Sequence, residues 1–152
     1  MKKIHVHLTV KELPKSIEFY SAMFARSPTT EHLDYAKWDL NDPVVNFAIS
    51  TKGNEVGLNH LGIQVDSNDK LEAFASQLNN AEIVTAEQED TACCYANSNK
   101  HWSQDPQGVA WEAFHTMGQI EVYGADSSEN GTVCCSPLST DQTKATESNS
   151  CC

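Results

Sequence analysis

The sequence predicts an α+β fold: two βαβββ modules that pair their sheets around a cleft. Three observations predict it. Two alternating, β-rich segments, His5-Val6-His7-Leu8-Thr9-Val10 and His60-Leu61-Gly62-Ile63-Gln64-Val65, each open on a His and close on a Val at the same spacing. A segment of helical periodicity follows each one. An Asp-Pro turn then precedes the last strand of each half, at Asp42-Pro43 and Asp105-Pro106. Together they make an internal repeat, and a chain of 152 residues suits one domain built from two such halves.

Each element has its own signal. The first helix starts near Pro14, a residue suited to a first helical turn, and runs through Ile17, Phe19, Tyr20, Met23 and Phe24. The second runs through Leu71, Phe74, Ala75 and Leu78. Phe19 and Met23 match Phe74 and Leu78 at the repeat offset, one turn apart in each case. In the first half Tyr35 to Leu40 and Val44 to Ser50 read as strands, joined by a turn at Asn41-Asp42-Pro43. In the second half Ile83 to Glu87, a segment around Cys94-Tyr95-Ala96, and Val109 to Phe114 read as strands. The expected organisation is a domain over 1–120, with modules at about 1–52 and 56–117, and a tail over 121–152. That tail is rich in Ser, Thr and Asn, has no periodicity and is expected to be flexible.

Charge narrows the partners. The formal net charge is −11, and the chain is acidic on both sides of residue 117. Such a field repels nucleic acid and an anionic membrane surface. No apolar run approaches the roughly 20 residues of a membrane span. The start, Met1-Lys2-Lys3, leads into a short segment broken by His5 and His7, unlike a secretory leader, so the expected location is the cytoplasm. The expected state is a monomer or a homodimer. The six cysteines come as adjacent pairs, Cys93-Cys94, Cys134-Cys135 and Cys151-Cys152. A disulfide framework bridges distant segments, whereas adjacent dithiols in a reducing compartment suit a soft, thiophilic ligand.

Two chemistries stand out. His5 and His60 occupy equivalent positions of the repeat, so approximate two-fold pairing would bring both imidazoles into the shared cleft. Glu112 is a carboxylate on the otherwise apolar strand Val109-Ala110-Trp111-Glu112-Ala113-Phe114, and burying it is costly unless it is paired or binds a cation. Two His and one carboxylate form the facial set that suits non-heme Fe(II) and leaves open positions for substrate and O₂. His7 shares a face with His5 and is a competing ligand. Asn46 stands where a fourth acidic ligand would be matched by the repeat, which favours an open three-ligand site. His32, His101 and His115 have no repeat partner. The second chemistry is Cys93-Cys94: two neighbouring thiolates can displace both hydroxyls of a mono-substituted trivalent arsenical and leave its organic group free to project toward a metal.

With these residues in view the chain resembles the vicinal-oxygen-chelate superfamily, and within it the C–As lyases and cadmium-inducible proteins. The resemblance covers about residues 1–117. It rests on His5-Val6-His7-Leu8-Thr9-Val10, Leu13-Pro14-Lys15-Ser16-Ile17-Glu18-Phe19-Tyr20 and Leu58-Asn59-His60-Leu61-Gly62-Ile63. It rests further on Thr91-Ala92-Cys93-Cys94-Tyr95-Ala96, Lys100-His101-Trp102 and Asp105-Pro106-Gln107-Gly108-Val109-Ala110-Trp111-Glu112. The resemblance implies that His5, His60 and Glu112 are catalytic iron ligands and that Cys93 and Cys94 hold the substrate. It implies an Fe(II) cofactor, O₂ as co-substrate, and cleavage of a methyl or aromatic trivalent organoarsenical to arsenite.

Two other functions compete. A metal-dependent glutathione lyase or transferase of the same fold would lack its fourth acidic ligand and give Cys93-Cys94 no role. A phosphonate substrate would also want a basic pocket, and Arg26 is the sole arginine. A protein that sequesters soft metals or arsenicals would explain the thiols, with Cys134, Cys135, Cys151 and Cys152 adding capacity, but would leave His5, His60 and Glu112 without a task.

Overall fold

The alternation in the first strand decides which face the first sheet buries. In the computed structural model, which describes residues 2–121, β1 (Lys3–Thr9) turns Val6 and Leu8 toward an apolar core and His5, His7 and Thr9 to the opposite face. The elements that follow are α1 (Leu13–Met23), β2 (Thr30–Glu31), β3 (Tyr35–Asn41), β4 (Val44–Ser50), β5 (Gly57–Val65), α2 (Asn68–Asn80), β6 (Ala86–Cys93), β7 (Ala96–Gln104) and β8 (Ala110–Gln119). The fold is α+β, as expected. The chain divides into two compact units, one ending at Gln64 and one beginning at Val65. From residue 122 on, the expected tail with Cys134, Cys135, Cys151 and Cys152 lies outside the described residues.

In the first unit the strand order is β2-β3-β4-β1-β5. β1 runs parallel to β4 and antiparallel to β5, and β3 is antiparallel to β4. The parallel pairing requires a crossover, and α1 lies within it. α1 starts with Pro14 in its first turn. Leu13, Ala36, Trp38, Leu40, Phe47 and Ile49 form the buried core, with Val6, Ile17, Tyr20 and Phe24 packed against it. Tyr20 and Phe24 meet Phe47 at ring-centroid distances of 4.6 and 5.2 Å. Trp38 donates its indole N–H to the Arg26 carbonyl at 3.0 Å, so its polar edge is satisfied while the ring is fully buried. The inward stripe of α1 is thus Leu13, Ile17, Tyr20 and Phe24. Phe19 and Met23, matched in the repeat, are 57% and 59% exposed.

In the second unit α2 packs against β7 and β8, and β7 is the centre of a β8-β7-β6 ladder. Ser67 caps α2 by accepting from the Lys70 N–H, and Leu71 and Ala75 are its buried residues. Lys70 also hydrogen-bonds Asp66, which holds that carboxyl well below the usual carboxylate range.

Two strand expectations change. β6 begins at Ala86 and runs to Cys93, past the expected end at Glu87. Cys94 and Tyr95 form a turn, both with positive φ (54° and 62°), between the paired residues Cys93 and Ala96. A two-residue hairpin turn with both φ values positive matches the right-handed twist of the flanking strands. β7, Ala-Asn-Ser-Asn-Lys-His-Trp-Ser-Gln, escaped the sequence pattern because most of its residues are poor strand formers. Pairing on both edges overrides that preference.

Candidate active site

The buried polar face of the first sheet carries the histidines. His5 is opposite Asn46 on β4 and Gly62 on β5, and His7 is opposite Ala48 and His60. The β1–β5 register slips after His7, because Leu8 faces Leu58 and Asn59 is left over as a bulge. His5, His7 and His60 are 6%, 2% and 2% exposed.

His5 and His60 present Nε2 to Nε2 at 3.2 Å. On its other side His5 Nδ1 lies 3.0 Å from the Asn46 carbonyl oxygen. His60 Nδ1 lies 2.8 Å from Asn59 Oδ1. The Asn59 amide is oriented by donating from Nδ2 to Thr9 Oγ1 at 3.0 Å, so its oxygen is the atom that meets His60. With Nδ1 of each ring turned to an oxygen, the two Nε2 atoms face one another. A backbone or side-chain oxygen on the far nitrogen is also how metal-binding histidines have their tautomer fixed. These residues fit a divalent metal. Asn46 donates to Gln64 Oε1 at 3.0 Å, and its own Oδ1 is buried without a hydrogen-bond partner. One ring nitrogen from each of His5, His7 and His60 falls within 4.8 Å of the other two.

Glu112 is in the second unit. It sits on β8 opposite Trp102 on β7, with its Oε1 2.6 Å from Lys100 Nζ, and both side chains are 5% exposed. Pairing with Lys100 offsets part of the cost of burying the carboxyl group. Lys100 also lies 5.9 Å from the Trp102 ring centroid. Sequence reasoning assigned Lys100 no role, although Lys100 and Trp102 alternate onto one face of a strand that carries Glu112 as neighbour.

Cys93 is buried at the end of β6 and Cys94 is half-buried in the turn, both as free thiols with Sγ atoms 3.3 Å apart. That is well beyond a disulfide bond and near enough for one atom to bridge. Cys94 and Tyr95 hold left-handed backbone without being Gly, which costs of order 1 kcal/mol each and is the kind of strain found at functional sites. The pair is not beside Glu112. Cys93 is level with Ala96 and Glu112 with Trp102, a span along β7 of about 20 Å at ordinary strand rise. A second acidic group, Glu72 on α2 and Glu87 on β6, lies 3.6 and 3.9 Å from His101 Nε2. Among the described residues no helix is long and apolar enough to cross a membrane.

Comparison with known proteins agrees with the fold. No protein-family profile matches the chain. It is 39% identical over 156 residues to the probable trivalent organoarsenical cleaving enzyme of Bacillus subtilis, covering 100% of both. It is 40% identical over 140 residues to the trivalent organoarsenical cleaving enzyme of Bacillus sp. MD1, covering 89% of this chain and 83% of that one. The cadmium-induced protein CadI of Mycobacterium bovis is 31% identical over 87% of this chain and 88% of its own. Among solved structures, homoprotocatechuate 2,3-dioxygenase from Arthrobacter globiformis superposes with a TM-score of 0.58 at 17% identity, over 78% of this chain and 37% of that one. The Mn(II)-bound glyoxalase from Novosphingobium aromaticivorans gives 0.57 at 14% identity, over 79% and 42%. With a vicinal-oxygen-chelate fold and relatives of this identity along nearly its whole length, the chain belongs to the family of trivalent organoarsenical cleaving enzymes and cadmium-induced proteins.

Proposed function

We propose that the chain is an Fe(II)-dependent dioxygenase that cleaves the carbon–arsenic bond of trivalent organoarsenicals. The observation that carries this reading is the thiol pair, two Sγ atoms 3.3 Å apart and not joined in a disulfide, in a chain whose relatives are named for cleaving such compounds. Cys93 and Cys94 exchange their protons for two As–S bonds, displacing two hydroxyls as water and leaving the organic group free. His5, His60 and Glu112 hold the iron, and their number leaves positions open. When bound, the iron supplies the means of bringing O₂ to the carbon attached to arsenic. The overall change balances with one O₂: methylarsonous acid gives arsenous acid and formaldehyde.

The chain's own residues do the positioning. Asn46 and Asn59 hold Nδ1 of His5 and His60, so that the two Nε2 atoms face one another. Lys100 gives the buried Glu112 carboxyl group a charge partner. The dithiol converts a bimolecular encounter into an intramolecular one. The thiols lie six register positions along β7 from the level of Glu112.

The test is speciation. Protein purified without oxygen is loaded with Fe(II), given methylarsenite, then exposed to air. Arsenite and formaldehyde in equal amounts, formed only with both iron and oxygen, are expected. Intact arsenical that stays on the protein, with Glu112→Ala behaving as the parent, would replace this reading with sequestration.

A further inference from the structure

One face of β7 meets α2, and the contacts repeat along it. Asn99 donates from Nδ2 to Asn68 Oδ1 at 2.9 Å, and the next residue on that face, His101, has its Nε2 3.6 Å from Glu72 Oε1. Asn68 and Glu72 stand one helical turn apart on α2. A helical turn advances about 5.4 Å and two strand residues about 6.6–6.8 Å, so helix and strand stay in step over this stretch. The third residue comes from β6. Glu87 is paired directly opposite His101, which puts both side chains on one face of the sheet, and its Oε1 lies 3.9 Å from His101 Nε2. All three residues belong to the second compact unit.

His101 is the unusual member. It is 6% exposed, and its Nδ1 is buried with no hydrogen-bond partner. Its Nε2 is aimed between the two carboxylates but lies beyond hydrogen-bond distance from both. A charge-assisted hydrogen bond would close to about 2.7–2.9 Å. Among the described residues neither Glu72 nor Glu87 pairs with a Lys or Arg. The lysines nearest in sequence are engaged elsewhere, Lys70 with Asp66 and Lys100 with Glu112.

A cation fits where protons do not. One ligand atom from each of Glu72, Glu87 and His101 lies within 4.8 Å of the other two. Tetrahedral ligands about 2.0–2.2 Å from an ion stand roughly 3.3–3.6 Å apart. Separations of 3.6 and 3.9 Å therefore leave room for an ion between the ligands. That ion would offset the charge of two carboxylates converging on one ring and give a buried ring nitrogen its partner.

We propose that Glu72, Glu87 and His101 form a second metal site, for a divalent ion that accepts both imidazole and carboxylate, such as Zn²⁺ or Mn²⁺, with water in the remaining positions. The half-exposed carboxylates open it to solvent, and the ion ties α2 to β6 and β7. The site uses none of His5, His60, Glu112, Cys93 or Cys94, so it stands or falls apart from the reaction proposed above.

The experiment is done on the full chain with nitrogen-15-labelled histidine. Zn²⁺ is titrated into the parent and into the double variant Glu72→Gln with Glu87→Gln, and the His101 ring nitrogens, assigned by their loss in His101→Gln, are followed by NMR. Both glutamate side chains are 53% exposed, so the double variant should keep its fold, which far-UV circular dichroism checks. In the parent, Nε2 of His101 should move to the position of a metal-bound nitrogen. The double variant should need at least about 10–100-fold more Zn²⁺ for the same shift, since losing ligands costs no less than losing the groups behind them. Equilibrium dialysis should find one fewer Zn²⁺ on the double variant than on the parent. A His101 signal that ignores Zn²⁺ in the parent would overturn the proposal. So would a shift that persists unchanged in the double variant, which would assign the response to zinc bound elsewhere.

Discussion

Lys100 Nζ and Glu112 Oε1 lie 2.6 Å apart on neighbouring strands, and each side chain is only 5% exposed. A pair buried this far is not a source of large net stability, but breaking it from one side strands a charge. Lys100→Met should therefore destabilise the metal-free protein by roughly 3–5 kcal/mol in urea unfolding. Adding Glu112→Gln should recover most of that loss, because no buried charge is then left. A double variant no more stable than Lys100→Met would show that the pair does not govern this part of the second unit.

The thiols and the carboxylate have separable tasks in the proposed reaction. Cys93→Ser with Cys94→Ser should abolish stoichiometric binding of a trivalent arsenical, followed by the loss of free thiol absorbance on titration, and leave Zn²⁺ binding as it was. Glu112→Ala should do the reverse to turnover, removing arsenite formation while the arsenical still titrates the thiols.

Asn59 is the bulged residue beside His60, and its side chain meets His60 Nδ1. Asn59→Ala should lower Zn²⁺ affinity by about 10–100-fold, the usual cost of losing a partner behind a metal-binding His. Calorimetry on the folded variant checks this, and an unchanged affinity would detach Asn59 from the site.

Gly53 has φ of +133°, and a Cβ there would lie 2.4 Å from Thr9 Oγ1 and 3.0 Å from Asn59 Nδ2. Both atoms belong to the network that sets His60, and Thr9 is β-branched with little freedom to turn away. Gly53→Ala should cost roughly 1–3 kcal/mol from backbone strain alone. It should also weaken Zn²⁺ binding in the same direction as Asn59→Ala, an effect a purely local strain would not produce.

The two faces of α1 should respond unequally. Leu13→Ala, in the core, should cost roughly 2–5 kcal/mol. Phe19→Ser, on the exposed face, should stay within about 0.5 kcal/mol. Thermal unfolding of the two variants distinguishes the packing seen here from one in which the repeat-matched Phe19 faces inward.

Periodicity and punctuation made much of the fold legible in the sequence. Alternation in His5 to Val10 and His60 to Val65 marks β1 and β5, Pro14 marks the start of α1, and the spacing of Leu71, Phe74, Ala75 and Leu78 marks α2, because local sterics and hydrogen bonding act over a few residues. The chemistry-bearing types were legible for the same reason, since a His on an alternating strand or two adjacent thiols can be seen without a fold. What lay beyond sequence depends on partners far along the chain. β7 is a strand because β6 and β8 pair with it, not because Ala-Asn-Ser-Asn prefers to be one. Cys94 lies in a turn rather than a strand because the register of that hairpin closes there. The setting of His5 and His60 was fixed only when the Asn46 carbonyl and the Asn59 bulge came within hydrogen-bond reach. An imidazole's tautomer follows from the atom that its other nitrogen meets, and only the tertiary structure supplies that atom.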